Sequence, residues 1–217
     1  MKFMAIADSD IGIVKDTNQD SLLIKHADTP RGEVLLAIVC DGMGGLTKGE
    51  VASATVIKAF SDWFDTELEY ELENPDMRVI GGKWSLMLKD LNARLLEYGK
   101  QCHTNLGTTF TGMLFIEDNY VIVHVGDTRA YQIGNEITQL TTDQTFVARE
   151  IERGTMTPEQ AKKDKRRNML LQCVGASEKV EPEIITGTAR CGSYMLCSDG
   201  FRHEISAKEI RQALAPE

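Results

Sequence analysis

Three stretches of this chain are apolar at nearly every position: 33–40 (EVLLAIVC), 110–116 (FTGMLFI) and 120–125 (YVIVHV). A strand with one face in water alternates polar and apolar residues, so these read as strands covered on both faces. The stretch 116–140 (IEDNYVIVHVGDTRAYQIGNEITQL) spaces its apolar runs with Asp118-Asn119 and Gly134-Asn135, and predicts a meander of antiparallel strands. Two other segments carry helical spacing: Ala52, Val56, Ala59, Phe60 and Trp63, then Trp84, Met87, Leu88, Leu91 and Leu95. They predict a hairpin of helices packed on a sheet, with 73–83 (ENPDMRVIGGK) as a breaker marked by Asn74-Pro75 and Gly81-Gly82. Residues 143–172 read as two short polar helices punctuated by Gly154 and Pro158, followed by strands near 181–188 and 193–198. A last helix starts at Ser206, whose hydroxyl can cap it, with Glu209 completing a capping box.

At 217 residues the chain suffices for one domain with a sizeable core. Its 24 basic and 33 acidic side chains give a net charge of −9, a field that repels nucleic acid and anionic lipid. The basic cluster Lys162, Lys163, Lys165, Arg166 and Arg167, interrupted by Asp164, reads as a solvated face, with a substrate-facing flap as the alternative. Cys40, Cys102, Cys173, Cys191 and Cys197 show no CxxC spacing and read as reduced core thiols of a cytoplasmic protein. No run approaches the roughly 18 apolar residues of a membrane span, and the N-terminus is too soon acidic for a signal peptide. The scattered His26, His103, His124 and His203 read as surface or packing residues rather than ligands.

Three apolar segments end in an aspartate beside a glycine: Asp41 in VCDGMGG, Asp127 in HVGDTR and Asp199 in LCSDGF, while Asp20 immediately precedes a strand. A buried carboxylate is costly unless it is paired or binds a metal, so four at sheet edges suggest a common cation. Oxygen donors without a His or Cys cluster favour Mg²⁺ or Mn²⁺ over zinc.

Taken together, GIVKDTNQDS, DGMGG, GTTFTGMLF, HVGDTRAYQI, LTTDQT, LLQCVGA and LCSDGF resemble, in order and spacing, the motifs of the metal-dependent protein phosphatases of type 2C, particularly bacterial ones. The resemblance spans about residues 5–205. It implies an α+β fold, a four-layer α-β-β-α sandwich of two antiparallel sheets flanked by helices, with residues 1–217 as one catalytic domain and a flap at about 145–170. It implies a dinuclear Mn²⁺ or Mg²⁺ centre that activates a water against phosphoserine and phosphothreonine in proteins. Asp41 would bridge the ions, Asp20 and the Gly42 carbonyl would serve one, Asp199 the other, and Asp127 with Asp199 a possible third. The implied partners are phosphoproteins and a Ser/Thr kinase, met by a cytoplasmic monomer.

The chain departs from the family pattern at four points. Lys15 stands where a phosphate-binding arginine is usual, replacing a fork by a single ammonium. Gln19 replaces a glutamate beside the metals, and Gln144 a frequent histidine. The Asp-Asn pair on a sheet-completing strand, which supplies one metal with a carboxylate, is not found before Glu217, so the domain reads as cut short at its C-terminus. These departures leave a second reading beside the enzyme: a degenerate phosphatase that binds a phosphoprotein or kinase with little turnover.

Overall fold

The computed structural model describes residues 2–13, 16–43 and 48–214, with only the backbone at 203. In chain order its elements are β1 (Ser21–Thr29), β2 (Gly32–Cys40), α1 (Gly49–Thr66), α2 (Leu68–Glu73), α3 (Met77–Cys102), β3 (Phe110–Ile116), β4 (Asn119–Val125), β5 (Arg129–Ile133), β6 (Ile137–Gln139), α4 (Phe146–Glu152), α5 (Pro158–Lys163), β7 (Glu183–Thr188), β8 (Ser193–Cys197), α6 (Asp199–Glu204) and α7 (Ala207–Leu214). The strands form two antiparallel sheets, one in the order β1-β2-β3-β4-β7 and one in the order β6-β5-β8.

The continuous apolar runs are the middle strands of the larger sheet, and both their faces are indeed covered. One face, with Leu36, Ile38, Phe110, Leu114, Val121 and Val123, packs under α1 and α3. Phe60 of α1 and Trp84 of α3 meet edge to face at 5.1 Å, and Phe60 lies 4.5 Å from the Phe110 ring. Each such fully buried large side chain contributes about 1.5–3 kcal/mol of apolar burial. The opposite face, with Leu35, Met113, Phe115, Tyr120 and Ile122, meets Ala130, Tyr194 and Leu196 of the smaller sheet. The smaller sheet's outer face, with Tyr131, Ile133 and Cys197, is closed by Ile210 of α7. The result is the expected four-layer α-β-β-α sandwich.

Two local expectations are corrected. The meander holds only as hairpins: β3 and β4 pair through the Asp118-Asn119 turn and β5 and β6 through Gly134-Asn135, but β4 pairs with β7 while β5 pairs with β8. Between β4 and β5 the chain leaves one sheet for the other, at Gly126 (φ 108°) and Asp127. Nor do Gly81 and Gly82 break a helix; they lie inside α3. A Cβ on Gly81 would sit 2.6 Å from Ile184 Cγ2 and 3.0 Å from Val121 Cγ2, so glycine lets the helix approach the sheet, and packing outweighs its weak helix propensity. The helix start comes after Pro75, where Asp76 accepts hydrogen bonds from the Arg78 and Val79 amides.

The two polar helices appear as α4 and α5, and the Ser206–Glu209 capping box forms at the start of α7. All five thiols are free, but only Cys40, Cys173 and Cys197 are buried; Cys102, at the end of α3, and Cys191, before β8, are exposed. The basic cluster is exposed, as expected of a solvated face, with Arg166 paired to Asp164 and stacked 4.0 Å from the Phe146 ring.

Candidate active site

Antiparallel register decides which strand ends share a side of the sandwich. Ser21 pairs with Cys40, Val39 with Thr111, Phe110 with Val125, and Arg129 with Cys197. The starts of β1, β3 and β5 and the ends of β2, β4 and β8 therefore lie at one end. Asp20 precedes β1, Asp41 follows β2, Asp127 links β4 to β5, and Asp199 follows β8, so all four acids flank that end.

The main chain at Asp41 is fixed by threonines at the start of β3. The Asp41 amide donates to Thr109 Oγ1 (2.9 Å), and its carbonyl accepts from the Thr109 amide (2.9 Å) and from Thr108 Oγ1 (3.1 Å). The next residue, Gly42, is buried and donates its amide to the Gln19 carbonyl at 3.2 Å. A Cβ there would run into that carbonyl and lie 2.7 Å from the Gly49 backbone at the start of α1, so only glycine fits. Gln19 also accepts from Ser53 Oγ through its carbonyl (2.7 Å) and donates its side-chain amide to Glu50 Oε2 (3.3 Å). Asp20 and Asp41 both lie beside the Cys40 thiol: burial, and then these two charges, push that thiol well above its ordinary range.

Asp127 is buried, and this pushes its carboxyl up to about 6; the Arg202 guanidinium works against the shift, and the nearby Asp199 and Asp143 reinforce it. Arg202 Nη2 donates to Asp127 Oδ2 at 2.8 Å, and Arg129 grips Asp143 with a fork, Nε to Oδ1 at 2.7 Å and Nη2 to Oδ2 at 2.6 Å. Sequence reasoning assigned no role to Arg202, Arg129 or Asp143. The available signal was the spacing of Arg202, three residues after Asp199 and hence on the same helical turn.

Gln144 joins the start of the segment after β6 to the end of β4. Its Oε1 accepts from the Gly126 amide and from Gln172 Nε2, both at 2.8 Å, and its backbone N–H donates to the Gly126 carbonyl at 2.7 Å. His124, as expected, is a packing residue: it is buried on β4, with Nδ1 2.9 Å from Thr111 Oγ1 and Nε2 3.1 Å from the Thr142 carbonyl.

The residues present fit a hard divalent cation: the donors are carboxylate and carbonyl oxygens, a buried carboxylate sits among other acids, and glycine leaves the Asp41–Gly42 backbone uncrowded. Their side chains are not gathered to ligand spacing. Among the described residues the only three such groups within 4.8 Å of one another are His26, Asp28 and Glu33, at the turn end of the β1–β2 hairpin, remote from the strand-end acids. Lys15, expected to bind phosphate, lies outside the described residues.

Residues 13–216 match the family model described as protein phosphatase 2C. The chain belongs to that family. It is 36% identical over 211 residues to the serine/threonine protein phosphatase PstP of Mycobacterium tuberculosis, an alignment that takes in 96% of this chain and 38% of that one. The chain thus spans well under half the length of that curated relative. Among solved structures it resembles the serine/threonine phosphatase Stp1 of Staphylococcus aureus (TM-score 0.80, 30% identity, 94% of this chain and 78% of that one). It also resembles the catalytic domain of PstP in complex with two manganese ions (TM-score 0.73, 31% identity, 95% and 81%). Among the described residues no helix is long and apolar enough to cross a membrane.

Proposed function

We propose that this chain is a metal-dependent protein phosphatase that hydrolyses phosphoserine and phosphothreonine, acting as a cytoplasmic monomer against the products of a Ser/Thr kinase. The observation that carries the reading is the register: residues 20, 41, 127 and 199, far apart in sequence, flank one end of two sheets. Family membership and the manganese-bound structure of the PstP catalytic domain support it.

Asp41 would bridge two Mn²⁺ or Mg²⁺ ions, with Asp20 and the Gly42 carbonyl on one and Asp199 on the other. Asp127 with Asp199 would hold a weaker third. Such a pair supplies Lewis acidity when bound, lowering the pKa of a water and neutralising charge on the phosphoryl oxygens. The protein's own contribution is positional. Thr108 and Thr109 hold the Asp41 backbone, so its carboxylate starts from a fixed point, and the Gly42–Gly49 approach sets the N-terminus of α1, with its partial positive charge, close to the acids. Lys15 would contact the phosphate as a single ammonium, and Gln19, already tied to Glu50, orders the first metal's surroundings. The binding-module alternative is not favoured, since the named relatives are phosphatases.

Release of phosphate from a phosphothreonine peptide tests the reading. Activity is expected to require Mn²⁺ or Mg²⁺, to vanish with a chelator, and to fall by on the order of a hundredfold or more in Asp41→Asn, with the fold intact by circular dichroism. Turnover that survives chelation refutes it.

A further inference from the structure

Two acids beside the strand ends are already held by arginines. Asp143 has both oxygens engaged by the Arg129 fork. Asp127 has Oδ2 occupied by Arg202 Nη2 at 2.8 Å, and Arg202 Nη1 stands 3.8 Å from Asp143 Oδ2. All three side chains of this second contact set are largely withdrawn from water: Arg202 is 15% exposed, Asp127 11% and Asp143 14%. Arg202 Nε is buried without a hydrogen-bond partner, so the guanidinium is held by its Nη contacts and its helix rather than by a full set of bonds. Arg202 also sits on α6, the short helix that begins with Asp199, so its fixed charge is carried by the same turn as a proposed metal ligand.

From this we infer that Arg202 is a built-in counter-ion at the third cation position, holding Asp127 in an ion pair so that a divalent ion binds there only by displacing it. The inference rests on the proposed phosphatase reading. A guanidinium in hydrogen-bond contact neutralises the carboxylate and repels a second cation, and in a partly dry setting both effects exceed their values in water. Arg202 therefore holds the Asp127 position closed to a further cation. It is a specificity-determining residue for cation number rather than a catalytic one.

Titration of the full chain with Mn²⁺ alone tests this, followed by calorimetry and by the electron paramagnetic resonance of free Mn²⁺. Wild type is expected to bind a tight class of ions and a much weaker one. In Arg202→Gln the weak class should tighten by on the order of tenfold or more, and the gain should disappear in Arg202→Gln combined with Asp127→Asn. Arg202→Lys, which keeps the charge, should stay close to wild type. Thermal unfolding in chelator gives a second readout: Arg202→Gln should melt lower than wild type, because it strands Asp127, and should recover more on adding Mn²⁺. Superimposable isotherms for wild type and Arg202→Gln, or equal tightening in Arg202→Lys, overturn the inference while leaving the phosphatase reading standing. If neither wild type nor variant binds Mn²⁺, both fall together.

Discussion

Replacing His124 with asparagine should change how the stability of this protein depends on pH. His124 is fully buried on β4; its Nε2 faces the Thr142 carbonyl, which can only accept, so Nε2 carries the proton and Nδ1 accepts from the Thr111 hydroxyl. Burial holds its pKa down at about 4 against an ordinary 6.5, with the hydrogen bond to the Thr142 carbonyl and then the Asp143 charge opposing only in part. Between those values the unfolded chain takes up a proton that the folded chain refuses. The stability that neutral His124 allows is thus fully present above pH 6.5 and is lost as pH falls toward 4. The gap corresponds to about 3 kcal/mol, a large share of the stability of a domain this size. Asp127 works in the opposite sense, since its carboxyl, pushed up to about 6, makes the folded state the better proton binder as pH falls. The wild-type curve alone therefore does not isolate the contribution of His124. The informative quantity is the difference between wild type and His124→Asn, in which Asp127 is common to both. Urea unfolding in chelator from about pH 7 to about pH 4.5 should show wild type losing about 2–3 kcal/mol relative to the variant. A difference that does not vary with pH, or an imidazole resonance of His124 titrating near its ordinary value, refutes the reasoning.

Two glycines should respond oppositely to alanine. At Gly42 the new methyl meets the Gln19 carbonyl and the Gly49 backbone, neither of which can turn aside, so Gly42→Ala should cost about 1–3 kcal/mol in urea unfolding and weaken Mn²⁺ binding in the same samples. Unchanged stability would show that the two segments part easily. At Gly82, inside α3, nothing lies within 4 Å of the added atom, so Gly82→Ala should raise stability by about 0.5–1 kcal/mol through helix propensity alone; a lower melting temperature would contradict this.

Much of the fold was legible because strands covered on both faces have a simple signature. The runs at 33–40, 110–116 and 120–125 became β2, β3 and β4, and the stripes headed by Ala52 and Trp84 became the buried faces of α1 and α3. Gly81-Gly82 misled for a reason that lies outside the local sequence: a glycine pair weakens an isolated helix, but here the absent side chain admits Ile184 and Val121 of the sheet. The step between sheets at Gly126–Asp127 was equally hidden, since each strand of the apparent meander looks alike whichever neighbour it pairs with.

The same division holds at the site. The sequence by itself determined that Asp20, Asp41, Asp127 and Asp199 stand at strand ends, because an apolar run that stops at an acid and a glycine is a local pattern. Only the tertiary structure decided which ends meet, and that Arg202 claims Asp127 while Arg129 claims Asp143, partners 75 and 14 residues apart. Strand register and helix placement fix those distances. Both arise from packing two sheets and their helices against one another, a global balance that no short stretch of residues encodes.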